Sequence, residues 1–149
     1  MLADTLTRET IQVQSCVTDW KEAIQTASIP LLNNSTIQKE YIQAMIDNVI
    51  ELGPYIVIAP DIAIAHARPD GAVNKVGLSL LKLNQSINFG EDSHYAKLIF
   101  VLAAIDNKQH LNILGELTSL LNNQKTIDKL KNSASTNEII NIIKYKEEV

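Results

Sequence analysis

The chain contains little of what several common classes of protein require. It has one cysteine, Cys16, so no disulfide can form within it and no cysteine-based zinc site can be built. A lone cysteine in an apolar segment is more typical of a structural residue than of a nucleophile, and we expect this of Cys16. The aromatic residues, two Phe, four Tyr and one Trp, are too few to form a surface that stacks on nucleic-acid bases.

The chain also lacks a block of positive charge and a long apolar run. Its net charge is -4, and no cluster of Lys or Arg predicts a nucleic-acid partner. The longest apolar run, residues 98–105, is far too short to span a bilayer, and the charged N-terminus is unlike a signal peptide. We therefore expect a soluble cytoplasmic protein whose residues 1–149 form one domain.

What the chain does contain is clear apolar periodicity. Alternation at Ile11 and Val13 predicts a short strand, and residues 55–59, 76–83 and 98–105 are further predicted strands. The last is apolar throughout, as expected of a central strand covered on both faces. Apolar residues at helical spacing predict five helices, which contain Ala23, Ile24 and Ala27; Ile42, Met45, Ile46 and Val49; Leu111, Leu114 and Leu117; Ile127 and Leu130; and Ile139, Ile140 and Ile143.

Helix ends are marked by local sequence. A capping box pairs a short polar residue with Glu or Gln three positions later, and four such pairs predict helix starts: Asp19 with Glu22, Ser35 with Gln38, Asp106 with Gln109, and Ser135 with Glu138. Pro30 either kinks or stops the first of these helices, and Gly53-Pro54 ends the second. Strands interspersed with helices indicate an α/β fold built in layers around one sheet.

His66 is the first candidate for chemistry. It follows an extended apolar segment, residues 62–65, and precedes the turn sequence Arg68-Pro69-Asp70-Gly71. Sites on α/β sheets lie at the ends of such strands. The small neighbours Ala65 and Ala67 leave room beside the ring, and Arg68 could reach the same group, since arginine pairs well with phosphate oxygens.

His110 is the second candidate, because it falls in the first turn of a predicted helix. The positive end of the helix dipole favours a neutral imidazole and a nearby anion. If the strand of residues 98–105 runs beside the one that leads to His66, the two rings could converge. A nucleophilic imidazole, a second imidazole and an arginine are the parts that transfer of a phosphoryl group requires.

Other uses of these residues stay open at this point. His66, His110 and Asp106 could supply three zinc ligands, although no close-spaced metal motif is present. His110 could be a helix cap or a surface residue, and Arg68 could pair with Asp70 at the surface. His94 lies in a polar loop and is expected to be solvated. No Gly-rich nucleotide motif and no Gly-x-Ser-x-Gly elbow is found.

The residues around His66 carry a family resemblance. The segments Gly53-Pro54-Tyr55-Ile56-Val57-Ile58-Ala59-Pro60 and Ile62-Ala63-Ile64-Ala65-His66-Ala67-Arg68-Pro69 resemble the active-site segment of enzyme IIA domains of the sugar phosphotransferase system (PTS). Residues 75–80, and residues 102–106 followed by His110, match as well. The similarity is to the mannitol/fructose superfamily, spans nearly the whole chain, and is greatest to the ascorbate-specific type.

This resemblance implies a fold and a reaction. The fold would be a mixed β-sheet flanked by helices on both faces. His66 would become a tele-phosphohistidine by accepting a phosphoryl group from the carrier HPr, and would pass it to a cysteine of enzyme IIB. His110 would stabilise the phosphoryl group. The membrane enzyme IIC would be an indirect partner, a homodimer is compatible with the family, and no cofactor is implied.

The chain departs from the family pattern at two places. Ala65 stands where many relatives have proline, and Asp47-Asn48 stands where mannitol- and fructose-type members have a helix arginine. We hypothesise that Arg68 replaces that arginine as a contact of the phosphoryl group. The resemblance supports two functions: a phosphocarrier for uptake of a sugar, ascorbate being the first choice, or a regulatory module that binds proteins according to its phosphorylation.

Overall fold

The computed structural model describes residues 2–90 and 93–148 of the chain, with the side chains of 147 and 148 excepted. In the described part, six helices surround a five-stranded sheet. The helices are α1 (Leu2–Thr5), α2 (Trp20–Asn33), α3 (Lys39–Leu52), α4 (Asn107–Leu121), α5 (Gln124–Lys131) and α6 (Thr136–Glu148). The strands are β1 (Ile11–Gln14), β2 (Val57–Ala59), β3 (Asp61–Ala65), β4 (Gly77–Asn88) and β5 (Tyr95–Ala103).

The sheet is mixed and has the order β1-β4-β5-β3-β2. Strand β5 lies at its centre, antiparallel to β4 and parallel to β3. The two outer pairs are β1 with β4, which is parallel, and β2 with β3, which is antiparallel. The apolar run of β5 is buried on both faces, which confirms its prediction as a central strand.

Each face of the sheet carries its own apolar core. Because neighbouring strand residues point to opposite faces, Ala63, Ala65 and Val101 pack with α2 and α3, while Ile62, Ile64 and Phe100 pack with the other layer. That second layer contains α1, α4, α5 and α6. The predicted α/β architecture, a mixed sheet with helices on both faces, is confirmed.

Three of the four predicted capping boxes form. The side chains of Asp19, Asp106 and Ser135 accept hydrogen bonds from the backbone N–H three residues later, at 2.8, 2.9 and 3.2 Å. The prediction for Ser35 is wrong. Its φ is 63°, and α3 begins after Gln38, whose side chain bonds instead to the Gly71 carbonyl and to Asn74. A tertiary contact here replaces the local cap.

Other element boundaries differ from the sequence pattern. Helix α2 continues through Pro30, and the Thr26 carbonyl left without its helical donor accepts a bond of 2.7 Å from the Gln12 side chain. Strand β4 runs to Asn88 rather than ending near residue 83. The second half of β4 is polar and lacks the apolar alternation that predicts a strand. It is extended because it pairs with β5 again at Ile87 and Asn88, beyond a register shift. No helix among the described residues is long and apolar enough to cross a membrane.

Candidate active site

Two adjacent parallel strands bring the two candidate imidazoles together. Ala65 at the end of β3 lies opposite Val101 of β5, and His66 follows directly. Strand β5 leads through Asp106 into α4, whose first turn carries His110. Because the carboxyl ends of parallel strands meet at one edge of a sheet, both rings lie at the same edge. Their centroids are 5.3 Å apart and their planes are inclined by 65°, so the convergence predicted from the sequence is confirmed.

The two rings line an open cleft of about 310 Å³. One wall is the end of α3 with Tyr55, a second is the segment of residues 66–69, and a third is the segment of residues 104–107 with His110. Arg68 lies on this lining, and its side chain is exposed. The three elements thus surround a space that can admit a small anion and still be reached from outside.

Burial sets the protonation of the candidate nucleophile. His66 is half-buried, and burial, followed by the charge of His110, holds the pKa of His66 below its ordinary value of 6.5. The ring is therefore neutral near pH 7 and has a nitrogen lone pair available for attack. Asn107 and His110 of the first turn of α4 line the same cleft, and the positive end of a helix dipole favours a bound anion.

Tyr55 is a site residue that the sequence reasoning did not single out. Its ring packs edge-on against the His66 ring, with centroids 5.7 Å apart and planes inclined by 86°. Its hydroxyl donates to the His66 carbonyl at 3.3 Å, and the Asn48 side chain lines the same cleft. Burial raises the pKa of Tyr55, so the hydroxyl stays protonated. The motif Gly-Pro-Tyr contained this residue, but only the tertiary contact shows what it touches.

Arg68 and Asn48 face the cleft from different elements. The alternative in which Arg68 pairs with Asp70 is wrong: within residues 2–90 and 93–148, Arg68 forms no ion pair. Asn48, one of the two residues of the Asp47-Asn48 stretch, lies on the α3 wall of the same cleft. Arg68 thus brings a charged side chain to the lining of the cleft, and Asn48 a neutral polar one.

The described residues do not form the zinc site that His66, His110 and Asp106 were considered for. The Asp106 carboxylate caps α4 by accepting from the Gln109 N–H, and in the described parts of the chain no three His, Cys, Asp or Glu side chains are arranged to hold a metal. Cys16, which we expected to be structural rather than a nucleophile, is exposed, so it packs in neither core, and it does not line the cleft.

The expectation that His94 is solvated is wrong. The residue is half-buried, its N–H donates to the Asn88 side chain, and its carbonyl accepts from the Phe89 N–H. These bonds join the end of β4 to the segment that leads into β5. Two polar residues of the predicted loop, Glu91 and Asp92, lie outside the described residues.

Comparison with known proteins agrees with this geometry. The model of the family "Phosphoenolpyruvate-dependent sugar phosphotransferase system, EIIA 2" matches residues 4–146. The mannitol-specific cryptic phosphotransferase enzyme IIA component of Escherichia coli K12 is 34% identical over 142 residues, which cover 95% of this chain and 97% of that protein. The ascorbate-specific PTS EIIA component of Salmonella typhimurium is 30% identical over 135 residues, covering 89% and 88%.

Solved structures give the same result. The solution structure of the E. coli mannitol-specific cryptic enzyme IIA has a TM-score of 0.90 at 33% identity, covering 97% of this chain and 98% of that one. Enzyme IIA mannitol of E. coli, in its complex with phosphorylated enzyme IIB mannitol, has a TM-score of 0.83 at 25% identity, covering 93% and 96%. Matches of this extent confirm the resemblance seen in the sequence: the chain belongs to the EIIA 2 family of the phosphoenolpyruvate-dependent sugar phosphotransferase system, and so is a phosphotransferase component.

Proposed function

We propose that this protein carries a phosphoryl group on His66, which it accepts from phosphohistidine on HPr and passes to a cysteine of enzyme IIB. The observation that carries the proposal is the approach of His66 and His110 to 5.3 Å between ring centroids, in an accessible cleft of an EIIA family member. A second observation supports it: the lowered pKa of His66 keeps the nucleophile neutral at physiological pH.

The reaction is two displacements at phosphorus. In the first, Nε2 of His66 attacks, a P–N bond to His66 forms, and the P–N bond to the donor imidazole breaks with its electron pair leaving on the donor. In the second, a cysteine thiolate attacks, a P–S bond forms, and the His66 imidazole leaves with the electrons of its P–N bond. Each step exchanges one bond to phosphorus for another, so no cofactor is needed.

The neighbouring groups act on the phosphoryl oxygens. His110 donates an N–H to one oxygen, and the N-terminus of α4 adds a positive potential. Arg68 contacts a second oxygen through its guanidinium and takes the part of the helix arginine, which the stretch Asp47-Asn48 lacks. Such donors stabilise the charge spread over the transferring group, which is the main contribution a protein makes to this reaction.

The relatives support the choice of acceptor. A relative in the family forms a complex with phosphorylated enzyme IIB, which supports a IIB protein as the partner here. The proposal places the reaction in the cytoplasm and the membrane enzyme IIC downstream of IIB. Both ascorbate-specific and mannitol-specific relatives match along most of the chain. The combination of Gly53-Pro54-Tyr55 with His66-x-Arg68-Pro69 favours ascorbate as the transported sugar.

The first experiment tests His66. The protein is incubated with phosphoenolpyruvate, enzyme I and HPr, and phosphorylation is followed by mass spectrometry and by the acid lability of the label. The wild type is expected to gain one acid-labile phosphoryl group, and His66→Ala none. Full labelling of His66→Ala would overturn the assignment.

A second experiment tests the acceptor. The phosphorylated protein is offered to an ascorbate-type and, separately, to a mannitol-type enzyme IIB. Faster transfer to the ascorbate-type protein is expected. Faster transfer to the mannitol-type protein would overturn the choice of sugar, and transfer to neither would favour the regulatory module over the transport phosphocarrier.

A further inference from the structure

Tyr41 joins the two strand ends that carry the imidazoles. It lies in α3 with 1% of its surface exposed, and its hydroxyl reaches across to the sheet edge. The Ala67 N–H donates to this hydroxyl at 3.1 Å, and the hydroxyl donates to the Leu102 carbonyl at 2.6 Å. Ala67 directly follows His66, and Leu102 lies at the end of β5, so one oxygen connects both sides of the cleft.

The register shows what this hydroxyl replaces. The Ile64 N–H donates to the Ile56 carbonyl, on the side of β3 that faces β2. Because the N–H groups of successive strand residues point to opposite sides, those of Ala65 and Ala67 point toward β5. With Ala65 opposite Val101, the next rung of the parallel ladder would join the Ala67 N–H to the Leu102 carbonyl. The Tyr41 hydroxyl occupies that rung, because it accepts from this donor and donates to this acceptor.

An inserted oxygen makes the strands diverge at this point. A direct rung would hold donor and acceptor at about 2.9 Å, whereas here two successive bonds separate them. The bridged position directly follows His66, and Ala67 lines the cleft that His66 and His110 share. Burial raises the pKa of Tyr41 to about 12, so the hydroxyl keeps its proton and the bridge persists throughout the physiological pH range.

We propose that Tyr41 is a positioning residue for phosphoryl transfer: its hydroxyl, wedged between the ends of β3 and β5, sets the distance between His66 and His110. The hydrogen-bond partners of the Tyr41 hydroxyl are the Leu102 carbonyl and the N–H and carbonyl of Ala67, the last at 3.3 Å, so Tyr41 acts through the backbone and not on the phosphoryl group. The proposal rests on the proposed role of His66. It requires that loss of one buried hydroxyl alters the spacing of the imidazoles while the fold is kept.

The test variant is Tyr41→Phe, which removes the hydroxyl and keeps the packed ring. The matched control is Ser79→Ala, which also removes one fully buried hydroxyl, bonded at 2.6 Å to the Ala27 carbonyl away from the cleft. Phosphorylation of His66 by phospho-HPr is expected to slow about tenfold or more in Tyr41→Phe, because misplacement of reacting groups is costly. Ser79→Ala should match the wild type in rate, although both variants lose stability.

A second readout does not require phosphoryl transfer. The pKa of His66, followed by NMR in the unphosphorylated proteins, should fall further below its ordinary value in Tyr41→Phe, because closure of the strand ends brings the charge of His110 nearer to the ring. In Ser79→Ala it should stay at the wild-type value. In the wild type, the Tyr41 hydroxyl proton should exchange slowly and lie close to the Ala67 N–H, and this measurement needs no variant to fold.

The outcomes separate the two proposals. A wild type that is not labelled at His66 overturns the proposed function. The NMR measurements on the unphosphorylated proteins then still test whether the Tyr41 hydroxyl sets the distance between His66 and His110. A labelled wild type with equal rates and equal His66 pKa values in Tyr41→Phe and Ser79→Ala overturns the positioning role. A Tyr41 hydroxyl proton that exchanges freely with solvent overturns the bridge itself.

Discussion

The two ends of the central strands each carry a half-buried histidine, and the two differ in what surrounds the ring. At the carboxyl ends of β3 and β5, His66 faces His110 and Tyr55 across an open cleft. At the amino end of β5, His94 lines a smaller space of about 280 Å³ with residues 57–61. Among the described residues, no second imidazole and no arginine lines that space.

The difference comes from how the strands are connected. At the carboxyl edge, the chain leaves β5 and enters α4, so the first turn of a helix lines the space beside His66. At the amino edge, the chain turns through a hairpin whose backbone holds His94 in place, while its buried Nδ1 has no hydrogen-bond partner in the described structure. The two histidines therefore have different surroundings, since among the described residues the carboxyl edge adds a second imidazole and an arginine that the amino edge lacks.

The largest effect is expected when the two histidines other than His66 are replaced in two separate variants and the rates are compared. His110→Ala should slow phosphoryl transfer to His66 about a hundredfold, because one donor to the transferring group is lost. His94→Ala should leave the rate unchanged, since its ring lies at the other edge. Rapid-quench measurement with phospho-HPr gives both rates. A larger loss in His94→Ala than in His110→Ala would reverse the comparison.

A smaller effect on the rate is expected from substitution of Arg68, the cationic side chain at the carboxyl edge. Arg68→Ala should slow the transfer about tenfold, the loss of one charged hydrogen bond, and Arg68→Lys should recover part of it. Arg8→Ala provides the control, because Arg8 is the other arginine of the chain and is exposed outside the cleft. If Arg68→Ala and Arg8→Ala were equally fast, the guanidinium would have no role at the site.

The pH dependence of transfer sharpens the same comparison. Burial and the charge of His110 lower the pKa of His66, so the neutral nucleophile persists below pH 6.5. The rate should stay level at higher pH and fall as the pH drops through the lowered pKa. In His110→Ala the fall should begin at a higher pH, since one cause of the lowering is gone. A midpoint above 6.5 in the wild type would contradict the burial argument.

The smallest effect is expected at the amino edge. Asp61 pairs with Lys131 at 2.6 Å, and both side chains are about a quarter exposed. Asp61→Asn removes the charge and keeps a residue that tolerates the φ of 70° found there. The free energy of unfolding should fall by less than about 1 kcal/mol in a urea titration, with an unchanged rate of transfer. A comparable loss of activity would show that the amino edge also contributes to the site.

Much of the fold could be predicted locally. Apolar alternation and helical spacing predicted β1, the buried β5 and five helices, because these patterns report which face of an element is buried. The caps at Asp19, Asp106 and Ser135 were also predictable, because their bonds join residues three apart. Helix α1 was missed, since four residues are too short for a periodic signal. The cap at Ser35 failed because Gln38 bonds to a distant turn instead.

The candidate site shows a sharper division. By itself, the sequence determined the chemical groups and the family: His66 before an Arg-Pro turn, and His110 in the first turn of a capped helix. Only the tertiary structure decided that these rings face each other, that Tyr55 packs on one of them, and that Tyr41 bridges their strands. The reason is that periodicity and capping are local, whereas the order and direction of strands arise from pairing between segments far apart in the chain.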